Sequence, residues 1–180
     1  AFDFLGDGAF HPVITMPEKQ PLDYAAASWS RSPGCYQLKS ALAWKDLPNG
    51  SGQSRLFDDA VGIALNTQAR FLPGHGEPEK VMDRLHAYCY FLEALLAGGV
   101  AKTNQLVLER GIARAGGLLR EIAPVFERSD VCAQLLRVRL IGHHAYGLRL
   151  DETAAAEEAT QAASYQAQSD DPRINGGFWF

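Results

Sequence analysis

The sequence is short of the features that identify a function at once. Its 180 residues include three cysteines at wide spacing, which excludes a disulfide framework and zinc-finger pairs. Lysine and arginine form no run interleaved with aromatic residues, so nucleic acid is not an expected partner. No apolar run approaches the roughly 20 residues that cross a bilayer, so no membrane association is expected. Phosphate-binding loops, dinucleotide fingerprints, nucleophile elbows and paired-histidine motifs are missing, so we expect no cofactor and no metal.

The composition is that of one soluble globular domain. Apolar residues make up 47% and charged residues 21% of the chain, and the net charge is −4 at pH 7. Unpaired cysteines favour a reducing compartment, so we predict a cytoplasmic protein. Residues 102–139 carry seven lysines and arginines against four acids, whereas residues 151–171 carry six acids and no base. We interpret these stretches as two solvated helix faces of opposite sign that lie near each other.

Helical signals dominate the chain after an irregular segment, residues 1–30. Pro33 and Pro78 suit first helical positions, where the missing N–H costs nothing, and Gly98-Gly99 suits a helix stop. The cleanest apolar stripe runs from Leu108 to Phe126 at steps of four and three. The pattern predicts helices over 34–47, 54–72, 78–97, 104–126, 129–142 and 151–168. Short links predict three consecutive antiparallel hairpins over 31–180, in a single all-α domain spanning 1–180.

The hairpins share a faint repeat. Each of the three cysteines, Cys35, Cys89 and Cys132, falls in an odd-numbered predicted helix and begins a Cys-x-x-Leu pattern. They are 54 and 43 residues apart, which is the length of a helical hairpin with its loops. We therefore predict that the three cysteines occupy the same place in successive odd-numbered helices.

The two ends of the chain resemble each other as well. Asp7-Gly8-Ala9-Phe10 stands near the start and Asn175-Gly176-Gly177-Phe178 near the end, as if both lay at the same point of a repeating unit. The apolar segment Phe178–Phe180 needs a cover, which an oligomeric partner or the missing half of a ring would supply. We predict that the 180 residues are part of a longer helical array.

Successive hairpins of this length, joined by aromatic Asp-Gly-x-Phe turns, resemble the α/α toroid superfamily, in which six hairpins form a double ring around a funnel. The segment His86-Ala-Tyr-Cys-Tyr90-Phe-Leu-Glu93-Ala-Leu-Leu96 is similar in style to an inner-helix segment of N-acylglucosamine 2-epimerase and cellobiose epimerase relatives. The resemblance implies half of a toroid, and an enzyme that isomerises sugars with inner-helix histidines as acid and base. The sequence departs from the family pattern where a histidine precedes Glu-Ala-Leu, because Tyr90 stands there and His86 lies one turn earlier.

The third predicted helix carries the candidate catalytic set. His86, Tyr90 and Glu93 stand at i, i+4 and i+7, on one helix face. A histidine that titrates near neutrality, beside a phenol and a carboxylate, is an acid/base set for proton abstraction at a sugar carbon. The structural alternative is that His86 packs at the helix start and Tyr90 lies in the core.

Four further residues are candidates for substrate binding. Arg84 and Asp130 lie at the starts of odd-numbered helices, where an arginine suits a carboxylate or phosphate, although pairing with a nearby charge is the alternative. Trp29 and Tyr88 offer flat apolar faces that could form a stacking floor for a sugar ring, or could serve core packing.

These observations favour a carbohydrate-active or carbohydrate-binding protein of epimerase, glycosidase or lyase type, with a sugar or other small molecule as its ligand. The alternative is a non-enzymatic α-solenoid that holds a protein partner in its grooves. A terpenoid-cyclase-like toroid lacks the Asp-rich motif that it would need. The pair His143-His144 follows a predicted helix, and the helix dipole accounts for it without catalysis.

Overall fold

The computed structural model describes residues 11, 13–18, 20–25, 28–45, 53–74, 76–123 and 128–178. These residues form six α-helices and no β-strand, which confirms the all-α prediction. The helices are α1 (Leu38–Lys45), α2 (Gln53–Phe71), α3 (Pro78–Ala97), α4 (Gln105–Ile122), α5 (Ser129–Tyr146) and α6 (Glu152–Ser164). Single 3-10 turns cover Trp29–Arg31, Cys35–Gln37 and Val100–Lys102. Isolated β-bridges join Ile14 to Pro21 and Gln166 to Phe178.

The predicted helix bounds agree best where proline and glycine mark both ends. Helix α3 begins at Pro78 and ends at Ala97, as predicted. Helix α5 continues past its predicted stop at Gly142 and ends at Tyr146. Gly142 is there for space, since a Cβ atom would lie 3.1 Å from Leu148 Cδ1. The stop is Gly147, whose φ of 69° is the left-handed conformation that glycine adopts without strain.

The other bounds differ by a few residues. Asn104 rather than Thr103 is the N-cap of α4, and neither residue's side chain makes a capping hydrogen bond there. Helix α6 ends at Ser164, before the predicted 168, because the chain turns to place Gln166 against Phe178. At the C-terminal end of α5, His143 Nδ1 lies 2.8 Å from the carbonyl oxygen of Leu148. His143 therefore contacts the backbone at the end of its own helix, which agrees with the structural role predicted for it.

The chain divides into two compact units, Ala1–Leu72 and Pro73–Phe180, which we describe separately. In the first unit α1 packs on α2. The side chain of Gln37 accepts a hydrogen bond of 3.0 Å from the Gly34 N–H and so fixes the turn that leads into α1. Cys35, Leu38 and Ala41 are buried beneath that turn and helix. The first hairpin is therefore held by a small apolar face and a local cap.

In the second unit α3 is the central helix and contacts both α4 and α5, while α5 also contacts α4 and α6. The C-terminal half of α3 is buried almost all round, from Phe91 to Leu96. Helix α4 buries the apolar stripe that its sequence predicted, including Leu108, Ile112 and Leu119. A helix that is buried on every side belongs to the centre of a layered helical stack.

Helices α3 and α5 lie side by side and run in the same direction. Arg137 donates to Glu93 Oε1 at 2.6 Å, and Tyr146 Oη donates to the carbonyl oxygen of Leu96 at 2.7 Å. Residue numbers therefore rise together along the two helices. Parallel neighbouring helices, each followed by a return helix, are the arrangement of a hairpin array. That this array forms part of an α/α toroid stays a prediction.

The cysteine repeat is partly correct. Cys89 and Cys132 are both buried, and each lies within electrostatic reach of the other across the α3–α5 contact. However, Cys89 lies in the middle of α3, Cys132 lies in the first turn of α5, and Cys35 lies in a 3-10 turn before α1. The three cysteines therefore do not occupy the same place in their helices. Cys89 and Cys132 lie near each other because α3 and α5 pack side by side, although the two residues stand at different distances from the starts of these helices.

The two oppositely charged stretches do lie near each other. Arg120 of α4 is 3.8 Å from Glu157 of α6 at the surface. Arg139 of α5 pairs with Glu158 of α6 at 2.8 Å, and their side chains are only 7% and 3% exposed. The prediction of solvated faces is therefore right for the first pair and wrong for the second.

Two glycines of α4 allow close helix contacts. A Cβ atom at Gly111 would lie 2.5 Å from Leu92 Cδ2 and 3.3 Å from Tyr88 Oη, both on α3. A Cβ atom at Gly116 would lie 2.5 Å from Arg139 Nη2. By contrast, a Cβ atom at Gly117 would meet no atom within 4 Å. Helix α4 thus contains close-approach glycines and an exposed control glycine.

We predict opposite effects for alanine at these positions. Gly111→Ala should lower the free energy of unfolding by about 1–3 kcal/mol, because Leu92 is fully buried and cannot move aside. Gly117→Ala should raise it by up to about 1 kcal/mol, because alanine is the better helix former. Urea unfolding followed by circular dichroism measures both. Equal effects of the two substitutions would contradict the close contact of α3 and α4.

Candidate functional site

The candidate site lies on α3, where the sequence placed it. Pro78 occupies the first turn of the helix and fixes its start, so that His86 and Tyr90 fall one turn apart on one face. The two rings meet edge to face, with centroids 5.9 Å apart and planes at 85°. His86 is half-buried, and Tyr90 is 37% exposed. An imidazole and a phenol therefore meet at the surface of the second unit.

The start of α5 sets the electrostatics of His86. Burial lowers the pKa of His86 below the usual value of histidine, and the positive charge of Arg128 lowers it further. The negative charges of Asp130 and Asp83 oppose this shift. The imidazole is therefore neutral at pH 7, which is the form that accepts a proton.

Asp130 lies near His86, but its carboxylate is paired with Arg128. The guanidinium of Arg128 donates to both carboxylate oxygens, at 2.9 Å to Oδ1 and 2.5 Å to Oδ2. Oδ1 also accepts a hydrogen bond of 2.9 Å from the Val131 N–H. Asp130 therefore forms the structural pair that the sequence left as an alternative to substrate binding. Arg84, the other charged candidate, is half-buried on α3, and its Nε atom is buried.

Glu93 lies one turn beyond Tyr90 and is engaged by α5. Its side chain is 8% exposed and accepts a hydrogen bond of 2.6 Å from Arg137 Nη1. The structure thus brings His86 and Tyr90 together, with Glu93 in the ion pair that joins α3 to α5. Glu93 is placed to orient this contact and not to meet a substrate.

The two aromatic candidates pack against other rings, which agrees with core packing, the alternative to a stacking floor for a sugar. Tyr88 is 1% exposed and packs against Phe91, with ring centroids 5.5 Å apart. Burial on α3 beneath α4 covers its ring faces. Trp29 belongs to the first unit, where its ring meets Tyr36 and Phe71 edge to face at 5.1 and 5.5 Å. Burial also raises the pKa of Tyr36, to about 12.

The cysteines are buried and unreactive in character. All three are free thiols inside the protein. Burial raises the pKa of the Cys89 thiol, and nearby acids raise it further, so the thiolate that a nucleophile requires is not formed near neutrality.

The described residues offer neither a metal-binding cluster nor a membrane-spanning helix. They contain no group of three metal-binding side chains. Among them, no helix combines the length and apolar character needed to cross a membrane. Phe178 is 53% exposed, and its two apolar successors lie outside the described residues.

A cleft that was not predicted from the sequence lies between α4, the start of α6 and the turn that precedes α6. Three arginines line it (Arg120, Arg139 and Arg149), and its volume is about 250 Å³. The uneven charge of the sequence was the signal that could have found it. What the sequence does not show is which arginines face the same space.

Comparison with known proteins adds no relative. No family model matches the chain, and no curated protein and no solved structure matches it significantly.

The environment of His86 predicts a pH dependence of stability. Because the folded protein holds this imidazole neutral, the unfolded chain binds a proton more readily as the pH falls below about 6.5, the usual histidine pKa. Stability should therefore be lost as the pH falls from that value through the lower folded pKa. His86→Gln should flatten this part of the profile.

Urea unfolding between pH 7.5 and pH 5 measures the effect, with His144→Gln as the matched control for loss of a histidine. If His86→Gln and the wild type share one slope, His86 is not held neutral. Proton titration of the His86 ring by NMR gives the folded pKa directly.

Proposed function

We propose that this protein is carbohydrate-active, of the sugar isomerase or epimerase type or the lyase type, with His86 as its proton-transferring group. The observation that carries the proposal is the edge-to-face contact between the neutral His86 ring and the exposed Tyr90 ring. Of the predicted acid/base set, His86 is half-buried and Tyr90 is 37% exposed, whereas Glu93 is 8% exposed.

The chemistry follows from the two protonation states. A neutral imidazole accepts the proton of a carbon next to a carbonyl or carboxylate group, and the electron pair moves onto that group. To give the epimer, the phenol donates its proton to the opposite face of that carbon, and the imidazolium then returns its proton to the phenolate, which restores both groups. Loss of a leaving group from the neighbouring carbon gives the lyase product instead. Neither route needs a carboxylate nucleophile.

Glycoside hydrolysis is the weaker version of the proposal. It uses two carboxyl groups that flank the scissile bond. Here Asp130 accepts from Arg128, and Glu93 accepts from Arg137. These two carboxylates are thus held by arginines, and we favour His86 and Tyr90 as the groups that meet a sugar.

A second candidate is the α-solenoid interaction module. The parallel packing of α3 and α5 favours it, because that arrangement is shared by open helical arrays and closed rings. This candidate needs no catalytic residue. It predicts that changes at His86 leave partner binding unaffected, which separates it from the enzyme proposal.

A sugar panel tests the carbohydrate proposal. We expect titration calorimetry of the purified protein against neutral sugars, N-acetyl sugars and uronic acids to show binding by at least one class. Mixing that class with the protein in deuterated water should exchange the hydrogen at the reacting carbon, which NMR detects. No binding across the panel would leave the interaction module as the better explanation.

Substitutions at the pair assign the roles. His86→Gln and Tyr90→Phe should each reduce hydrogen exchange or turnover by about 10²–10⁴-fold, which is the usual contribution of a general acid or base. Neither residue lies in the buried core, so unfolding curves at pH 7.5 should change little. His144→Gln is the control. If activity falls only in proportion to folding, both residues are structural.

A further inference from the structure

The arginine-lined cleft belongs to the second unit and is formed by three segments of the chain. It lies between α4, the turn after α5 and the start of α6, with Ile112 and Leu148 as apolar lining. Arg139 comes from α5, Arg120 from α4 and Arg149 from the turn. None of the residues of the His86 contact lines it.

Arg139 is the anchored member of the cleft. Its Nε atom donates to Glu158 Oε1 at 2.9 Å and to Oε2 at 2.8 Å. Gly116 gives its Nη2 atom room, because any side chain there would collide with it. A single nitrogen of Arg139 therefore serves Glu158, Nη2 lies beside Gly116, and the residue also lines the cleft. A guanidinium held in this way loses little freedom when it binds an anion.

The other two arginines form no ion pair shorter than 3.8 Å within the part of the chain that the structure describes, although both lie within electrostatic reach of Asp151. Arg149 is exposed and forms no ion pair with any described residue. The contact of Arg120 with Glu157 is long, at 3.8 Å, and both side chains are about half exposed to water. Three guanidinium groups therefore approach one small space, and only Arg139 has a close carboxylate partner.

Two acids at the cleft supply acceptors of a different kind. Asp151 caps α6, where its Oδ1 accepts from the Ala154 N–H at 3.0 Å. That hydrogen bond lowers the pKa of Asp151, so the carboxylate stays ionised. Its Oδ2 atom can accept a hydrogen bond from a further donor. Glu109 is exposed at the same cleft. Carboxylates repel an anionic group but accept hydrogen bonds from hydroxyl groups.

We infer that this cleft binds a small polyhydroxylated carboxylate, the chemistry of a sugar acid. The arginines match a planar carboxylate group with paired hydrogen bonds. Asp151 and Glu109 accept from hydroxyl groups, and Ile112 and Leu148 face the C–H side of the ring. The volume lies below the about 300–1,000 Å³ of drug-sized sites, which suits a single sugar unit. The inference deepens the proposed carbohydrate function by naming the charge of the ligand, but its residues are separate from His86.

Calorimetry with glucuronate, glucose and inorganic phosphate tests the inference. Glucuronate should bind at least about tenfold more tightly than glucose, since a charge-assisted pair with arginine is lost in the neutral sugar. It should also bind more tightly than phosphate, which lacks the hydroxyl groups. Added salt should weaken binding. Equal binding of glucuronate and glucose, or tighter binding of phosphate, would overturn the inference.

Exposed arginines supply variants that keep the fold. Arg149→Gln should weaken glucuronate binding by about tenfold or more. Arg110→Gln removes an exposed arginine of α4 that does not line the cleft, and it should leave binding unchanged. Equal loss in the two variants would show general attraction and no site, and no loss in Arg149→Gln would place binding elsewhere.

The His86→Gln variant separates this inference from the proposed function. Glucuronate binding that survives His86→Gln and falls in Arg149→Gln supports the cleft, whether or not the protein turns sugars over. Binding that falls in His86→Gln and survives Arg149→Gln overturns the cleft and leaves the proposed function standing.

Discussion

The second unit depends on one buried ion pair, between Arg139 and Glu158. Burial raises the pKa of Glu158, and the guanidinium beside it opposes that shift. Breaking such a pair by removing one partner leaves a charge inside the protein, which is far more costly than any surface contact. The pair joins α5 to α6, and Gly116 lets the same guanidinium lie against α4. Three helices are thus positioned by one side chain, and the arginine-lined cleft follows from that position.

Helix α5 presents different chemistry to its two neighbours. Towards α3 it offers Arg137 to Glu93 and places Asp130 and Arg128 near His86. Towards α6 it offers Arg139. The proposed proton-transfer pair and the proposed anion cleft therefore use separate residues but share one helix.

The sequence was informative where local physics decides and silent where tertiary contacts decide. Proline and paired glycines marked both ends of α3, and the apolar stripe of α4 is buried as its period required. The end of α5 was predicted wrongly at Gly142, because a glycine inside a helix can allow close packing as readily as it can end the helix. The contact of His86 with Tyr90 follows from helical spacing alone. The pairing of Glu93 with Arg137, and of Arg139 with Glu158, requires knowing which helices are neighbours, and charge counts do not give that.

The parallel register of α3 and α5 also bears on how the chain reaches its fold. The two hydrogen bonds described above between α3 and α5 span 44 and 50 positions. Closing loops of this length costs little more than closing a single hairpin, and folds built from near-neighbour contacts form quickly. Within the second unit, the hairpin of α5 and α6 can therefore dock on that of α3 and α4 as soon as it is synthesised. Assembly in chain order leaves apolar helix faces exposed only for the time that the next hairpin takes to appear.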